Sequence, residues 1–296
     1  MAMEWTEISV LTSDESQDAV INILMDFGSL GVELDTINED TLSINSYFPE
    51  NFDIESKVPA IQSRVSQLAE FGLNPGEAKV ITKNLNDDKW NSEWEKYYHA
   101  KRITKFLTIS PVWENYVKEF DGELVIKLDP KKAFGTGVHP TTVLCLQAIE
   151  SAIRENESIL DVGTGSGVLS IAAKLLGAGE ISAYDYDDDA VDSAKKNVAL
   201  NGFENDIFVD KNSLLDGISK KADIILANLL PEAVLPLIPQ AANNLNEGGK
   251  IIISGIIKDK LSITLETLEN NQYVIDQVTT LGDWRGIIAH LRRDDE

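Results

Sequence analysis

Ile159-Leu-Asp-Val-Gly-Thr-Gly-Ser-Gly-Val-Leu-Ser-Ile-Ala-Ala173 joins a short apolar run, three glycines at alternate positions and an apolar helical repeat. The pattern predicts a strand, a tight turn and a helix. Gly163, Gly165 and Gly167 suit a backbone that passes close to a ligand, where a Cβ has no room and positive φ is needed. A helix start also offers unpaired N–H groups and the positive end of a dipole. A small, partly anionic ligand is expected there.

Spacing narrows the ligand. A dinucleotide fingerprint needs a third glycine three residues after the second, and Val168 stands at that place. A pyrophosphate is therefore disfavoured. Asp161-x-Gly-x-Gly-x-Gly167 instead resembles the first motif of class I S-adenosylmethionine-dependent methyltransferases, whose ligand carries a carboxylate and an adenosine but no phosphate. The next strand, Glu180 to Tyr184, ends at Asp185, roughly 20 residues beyond the turn, where an acid reaches ribose hydroxyls in such folds.

At 296 residues the chain is long for one domain and short for three. No apolar run approaches a membrane span, and the start, with Glu4 and Glu7, lacks the layout of a signal peptide. A cytoplasmic protein without membrane attachment is expected. Cys145 is the only cysteine, which rules out an internal disulfide and a cysteine metal cluster, and no metal is expected. It sits in an apolar helical stretch and reads as a buried, inert thiol. The formal net charge of -23 repels phosphate backbones and favours basic partners. A basic protein is a better substrate than nucleic acid on that ground, although acidity also serves solubility alone.

Residues 4–82 read in the order β-α-β-β-α-β, a ferredoxin-like split motif. The strands are Trp5 to Leu11, Gly31 to Leu34, Thr41 to Phe48 and Ala78 to Thr82. One helix is capped by Ser13 or Asp14 and runs to Phe27; another runs from Asp53 to Phe71. No catalytic constellation occurs here. Asn86 to His99 then places Trp90, Trp94 and Tyr97 on one face of a short helix, as core packing or as an aromatic wall. Strand segments Phe106 to Ile109 and Leu124 to Leu128 precede a second glycine loop, Asp129-Pro-Lys-Lys-Ala-Phe-Gly-Thr-Gly-Val-His-Pro-Thr-Thr142. Thr141 and Thr142 can cap the helix that follows. His139 is a candidate general base, or a structural hydrogen-bond donor ahead of Pro140.

Ala133-Phe-Gly-Thr-Gly-Val-His-Pro-Thr-Thr142, followed by Asp161-Val-Gly-Thr-Gly-Ser-Gly167, Asp185-Tyr-Asp187 and Ala227-Asn-Leu-Leu230, resembles the bacterial methyltransferases of large-subunit ribosomal protein eleven. The likeness spans nearly the whole chain. It implies a Rossmann-like, mostly parallel seven-stranded α/β sheet with a small N-terminal α+β ferredoxin-like domain. The domains expected are residues 1–84 for substrate recognition, a helical linker at 85–100 and the catalytic domain at 101–296. It also implies S-adenosylmethionine as cofactor, and methylation of lysine side chains and an N-terminal α-amine on a basic ribosomal protein, by a monomer.

Methyltransferases of amide or adenine nitrogens carry Asn or Asp, Pro, Pro, aromatic at the end of the fourth strand, whereas this chain has Asn228-Leu-Leu-Pro231. The missing aromatic clamp suits a flexible amine; a protein glutamine or a nucleic-acid base is the alternative target. Asn228 is assigned to orienting the amine or donor, Asp185 to the ribose, Asp161 with Gly163, Gly165 and Gly167 to the donor's amino-acid portion, and Thr142 to its carboxylate. Gly135 and Thr136 join this set as backbone contacts. A nicotinamide oxidoreductase lacks its third-glycine spacing here, and a non-catalytic binding module has no reason to keep the whole donor motif.

Overall fold

The computed structural model describes residues 5–29, 32–38, 41–49, 54–85, 99–129, 137 and 139–292. The chain divides into two compact units, Met1–His99 and Ala100–Glu296.

In the first unit β1 (Trp5–Thr12), α1 (Gln17–Asp26), β2 (Val32–Asn38), β3 (Thr41–Pro49), α2 (Val58–Gln67) and β4 (Lys79–Leu85) follow one another. Their antiparallel sheet has the order β2-β3-β1-β4, the ferredoxin-like arrangement. Alternate strand residues Ile8, Val10, Ile44 and Phe48 meet Val20, Leu24, Ile61 and Val65, spaced three or four apart on the helices. The first helix starts later than its capping residues suggest. Ser13 and Ser16 turn their hydroxyls to the carbonyl of Asn74, so they anchor the loop before β4 instead of capping α1. The second helix is shorter than the stretch from Asp53 to Phe71. Pro59 confines its start to the first turn, and Gly72, at φ 83°, closes the 3-10 turn after it. The expected linker helix with Trp90, Trp94 and Tyr97 falls on residues 86–98, outside the described residues.

The second unit opens with β5 (Lys101–Arg102), β6 (Leu107–Pro111) and β7 (Leu124–Leu128), a separate three-stranded sheet in which β6 and β7 run parallel. There follow α3 (Pro140–Ala152), β8 (Ile159–Val162), α4 (Val168–Leu175), β9 (Ile181–Asp185), α5 (Asp188–Leu200), β10 (Ile207–Lys211), β11 (Ala222–Asn228), α6 (Pro231–Asn244), β12 (Leu245–Ile257), α7 (Leu261–Asn270), β13 (Tyr273–Leu281) and β14 (Trp284–Leu291). The seven-stranded sheet has the order β10-β9-β8-β11-β12-β14-β13, and β14 runs antiparallel to both its neighbours. One core holds side chains of α3, α4 and α5, the other those of α6 and α7. The strands between them are covered on both faces, which is why β8 and β11 are mostly apolar and do not alternate with polar residues.

Two features of this sheet position everything that follows. Strand β8 pairs with β9 on one side and β11 on the other, so the chain reverses direction of travel across the sheet between β8 and β11. Such switch points open a crevice beyond the carboxyl ends of the strands. Pleating then sorts side chains by face: Ile159, Ile224 and Leu226 enter the α3–α5 core, while Leu160, Val162, Ile225 and Ala227 enter the other. Asp161 and Asn228 therefore share the face that α3 covers.

Past the switch point the chain is tightly held. Gly255 lies at φ 89° where the β12–β14 register shifts, and a Cβ there would stand 2.1 Å from the carbonyl oxygen of Leu229. Backbone pressed on backbone has no cheap escape. Replacing Gly255 by Ala is expected to lower stability by about 2–3 kcal/mol and to displace the segment after Asn228. Gly202→Ala, at φ 76° with open space around it, should cost only the ~1–2 kcal/mol of a left-handed residue. Urea melts of the two variants check the difference; equal losses would show that the close approach at Gly255 is unimportant.

Candidate functional site

The crevice is built from the ends of β8, β9 and β11 and the start of α3. At its floor Asp161 is fully buried, and its Oδ2 accepts hydrogen bonds from Thr164 Oγ1 at 2.7 Å and Ser170 Oγ at 2.6 Å. The Ser170 N–H points to the same carboxylate. One carboxylate thus clamps the glycine turn to the first turn of α4. Its other oxygen, Oδ1, is buried and has no hydrogen-bond partner among the described residues. Burial pushes this carboxyl up to about 6, with the nearby charge of Asp185 adding to the effect and the hydrogen bonds from Ser170 and Thr164 opposing it.

The glycine turn is itself stapled down. The N–H groups of Gly163 and Thr164 both reach the Tyr184 carbonyl, at 2.8 and 2.9 Å, and Gly167 N–H reaches the Thr164 carbonyl. Gly165 N–H donates to Asp185 Oδ2 at 2.8 Å, and Asp187 N–H to Asp185 Oδ1 at 3.1 Å. The turn's donors are consumed inside the fold, because β8 and β9 are neighbours and the turn folds back over the end of β9. A phosphate nest is not built here, in keeping with the displaced third glycine. Asp185 remains half-buried at the rim, and each carboxylate oxygen keeps acceptor capacity beyond its one backbone bond.

Gly163 lies at φ 73° because Leu229 crosses directly above it: a Cβ would come within 2.2 Å of the Leu229 Cδ2. The residue after Asn228 thus packs on the turn after β8. Asn228 ends β11 half-buried, and its Nδ2 donates to Thr142 Oγ1 at 3.3 Å. With the amide nitrogen turned to Thr142, Oδ1 is left as an acceptor. Thr142 is fully buried in the first turn of α3, and its hydroxyl proton stays available to donate.

Helix α3 is capped differently from the expectation that placed Thr141 or Thr142 at its start. His139 is the N-cap, and its Nδ1 accepts from Thr141 N–H at 3.4 Å and lies 2.9 Å from Thr141 Oγ1. A backbone N–H can only donate, so the ring proton belongs on Nε2. Burial lowers the affinity of this imidazole for a second proton. His139 is thus a neutral ring whose acceptor nitrogen is committed to the helix. Gly135 and Thr136 lie outside the described residues.

The structure therefore brings Thr142, Asp161, Gly163, Gly165, Gly167, Asp185 and Asn228 to one end of the sheet, with His139 at the same helix start. It also reveals a residue that sequence reading missed. Asn197, fully buried on α5, donates to the Ser166 carbonyl at 2.8 Å and accepts from Asp129 N–H at 2.8 Å, tying the glycine turn to the start of the second loop. A signal existed: an Asn on the apolar stripe of Ala190, Val191, Ala194 and Val198. Trp284 packs edge to face on His139 at 5.3 Å between ring centroids. Cys145 is buried, and burial with the Asp161 charge pushes its thiol up, as expected of an inert group. Among the described residues no group of three or more His, Cys, Asp or Glu could hold a metal ion.

The raised carboxyl of Asp161 makes a testable demand on stability. A folded carboxyl that holds its proton more tightly than the unfolded one loses stability as pH rises, here between about 4 and about 6. Asp161→Asn removes that penalty, so the variant should gain on the native chain as pH increases, reaching on the order of 2–3 kcal/mol above pH 7. Melts at pH 4, 5, 6 and 7.5 without ligand check this; a pH-independent difference would remove the uncompensated charge from the account.

The family model for ribosomal protein L11 methyltransferase matches residues 4–292. The ribosomal protein L11 methyltransferase of Limosilactobacillus reuteri is 46% identical over 313 residues, covering 97% of this chain and 98% of that protein. That of Levilactobacillus brevis is 44% identical over 316 residues, covering 99% and 100%. The crystal structure of ribosomal protein L11 methylase from Lactobacillus delbrueckii subsp. bulgaricus superposes with a TM-score of 0.63 at 41% identity, over 66% of this chain and 100% of that one. With its class I methyltransferase sheet and nearly complete coverage, the chain belongs to the ribosomal protein L11 methyltransferase family.

Proposed function

We propose that this chain transfers methyl groups from S-adenosylmethionine to lysine side-chain amines and the N-terminal α-amine of ribosomal protein L11. The observation that carries this reading is the buried, unpartnered Oδ1 of Asp161 beside the glycine turn, an anionic acceptor suited to the ammonium of the donor's amino-acid end. The rim carboxylate of Asp185 suits ribose hydroxyls, and the Thr142 hydroxyl suits a carboxylate. Gly135 and Thr136 belong to the same proposed set through the loop they share with His139. The residues present fit the donor.

When bound, the donor supplies an electrophilic methyl carbon on a positive sulfonium and a good leaving group. The protein's tasks are placement and an amine with a free electron pair. A lysine ammonium near its ordinary pKa of about 10.4 leaves roughly one molecule in a few thousand neutral at pH 7. A partly dry crevice next to a positive charge lowers that pKa, and the proton leaves to water as the amine enters. Asn228 Oδ1 then accepts a remaining N–H and aims the nitrogen's electron pair, which forms the new N–C bond as the S–C bond breaks. No strong base is needed, which accords with a His139 whose Nδ1 caps α3.

After Asn228, Leu229 and Leu230 offer aliphatic surface, and Leu230 is 63% exposed. Such a wall accommodates a flexible chain and gives no face for stacking a planar amide or base. The charge of -23 favours a basic substrate over nucleic acid. Residues 1–84 are proposed to grip that substrate, residues 85–100 to connect, and residues 101–296 to catalyse, as a cytoplasmic monomer. No helix among the described residues is long and apolar enough to cross a membrane.

Incubation of purified L11 and of ribosomal RNA with enzyme and isotopically labelled donor, followed by mass spectrometry, tests the reading. Label on lysines and the N-terminus of L11 is expected; label confined to glutamine or to RNA would overturn it. Calorimetry with Asp185→Ala should show donor affinity falling about tenfold or more, the loss of charge-assisted bonds to hydroxyls. Asp185→Asn, which keeps one acceptor for the Gly165 N–H, should lose less, and unchanged affinity in both variants would remove the ribose assignment.

A further inference from the structure

We infer that Trp284, at the tip of the β13–β14 hairpin, is a positioning residue that holds His139 and through it the donor-facing start of α3. The hairpin is remote in sequence from every motif of the site, yet its tip reaches it. Trp284 is half-buried and meets the His139 ring edge to face, at 5.3 Å and 68°. Its place is set on two sides. It pairs with Ile257 across the register shift at Gly255, and Lys258 N–H bonds the Asp283 carbonyl just before it. The Trp284 carbonyl is in turn bonded by the Arg285 guanidinium at 2.9 Å.

The contact matters because of what His139 does. Its Nδ1 caps the helix whose third residue, Thr142, bonds the Asn228 side chain. Only a neutral imidazole can accept at Nδ1, so the cap exists only while the ring stays uncharged. An indole packed against the ring supplies part of the burial that keeps it so. Charged residues flank Trp284 in its own hairpin and opposite it, namely Asp283, Arg285 and Lys258, and the first turn of α3 carries no acid. Trp284 thus acts through His139 and is not itself a catalytic residue.

This inference rests on the donor-site reading above, and two independent readouts keep their failures apart. The first is calorimetry of S-adenosylmethionine with the full chain. Trp284→Ala should weaken binding about tenfold, and Trp284→Phe, which retains an aromatic face, should stay within about twofold of the native chain. The second needs no donor: an NMR titration of the imidazoles, of which the chain has three, with His139→Gln assigning the signal. In Trp284→Ala the His139 titration should rise toward that of an ordinary histidine, and donor affinity should fall further below pH about 6.5. If Trp284→Ala does not fold, Trp284→Leu, which keeps apolar volume without a ring, carries the same test. An unmoved His139 titration, or equal losses in the Ala and Phe variants, would overturn the proposal. Absence of donor binding in the native chain would instead strike the reading beneath it.

Discussion

The second unit depends on one carboxylate in a place where water cannot reach it. Asp161 stands third in a fully buried strand, and pleating turns it into the core beneath α3 and α4. Such a group is costly unless bonded, and it finds donors in Thr164 within the glycine turn and Ser170 in the helix after it. The bonds decide the path of the chain from β8 into α4. One oxygen has no partner among the described residues, and burial makes the carboxyl hold its proton more tightly.

Around this point the fold is closed by close backbone approach. Leu229 lies on Gly163, and Gly255 lies on the Leu229 carbonyl, so three strands fix the segment that carries Asn228. Asn197 performs a similar service from α5, joining the glycine turn to Asp129. Side chains held on all sides are fixed by the packing of the fold itself. The tight turn is therefore a product of packing from three directions, and not of glycine flexibility alone.

The chemistry asked of the site is modest, and its construction matches. Transfer to an amine needs an acceptor to aim the nitrogen and a surface along which an aliphatic chain can lie. In the function proposed above, Asn228 is the acceptor and the two leucines after it are the surface. His139, the residue most easily cast as a base, has its acceptor nitrogen engaged in capping α3, which places it among the groups that hold the site together.

Much of this was legible in the linear sequence. The apolar run before three glycines marked β8 and α4, the acid after the next strand marked Asp185, and the missing third glycine argued against a pyrophosphate; each is a local pattern that arises from near neighbours. The β-α-β-β-α-β order of the first unit was likewise readable from alternation and spacing. Element starts were less so: Ser13 and Thr141 look like caps in isolation, but Asn74 and His139 compete for their hydroxyls, and Asn74 is 61 residues away from Ser13. What only the tertiary structure decided was which groups meet across distance. The Leu229 contact with Gly163, the bridge of Asn197, the seat of Trp284 on His139 and the unpartnered oxygen of Asp161 all depend on strand order and register. Those follow from how the whole chain packs its faces, and no local spacing encodes them.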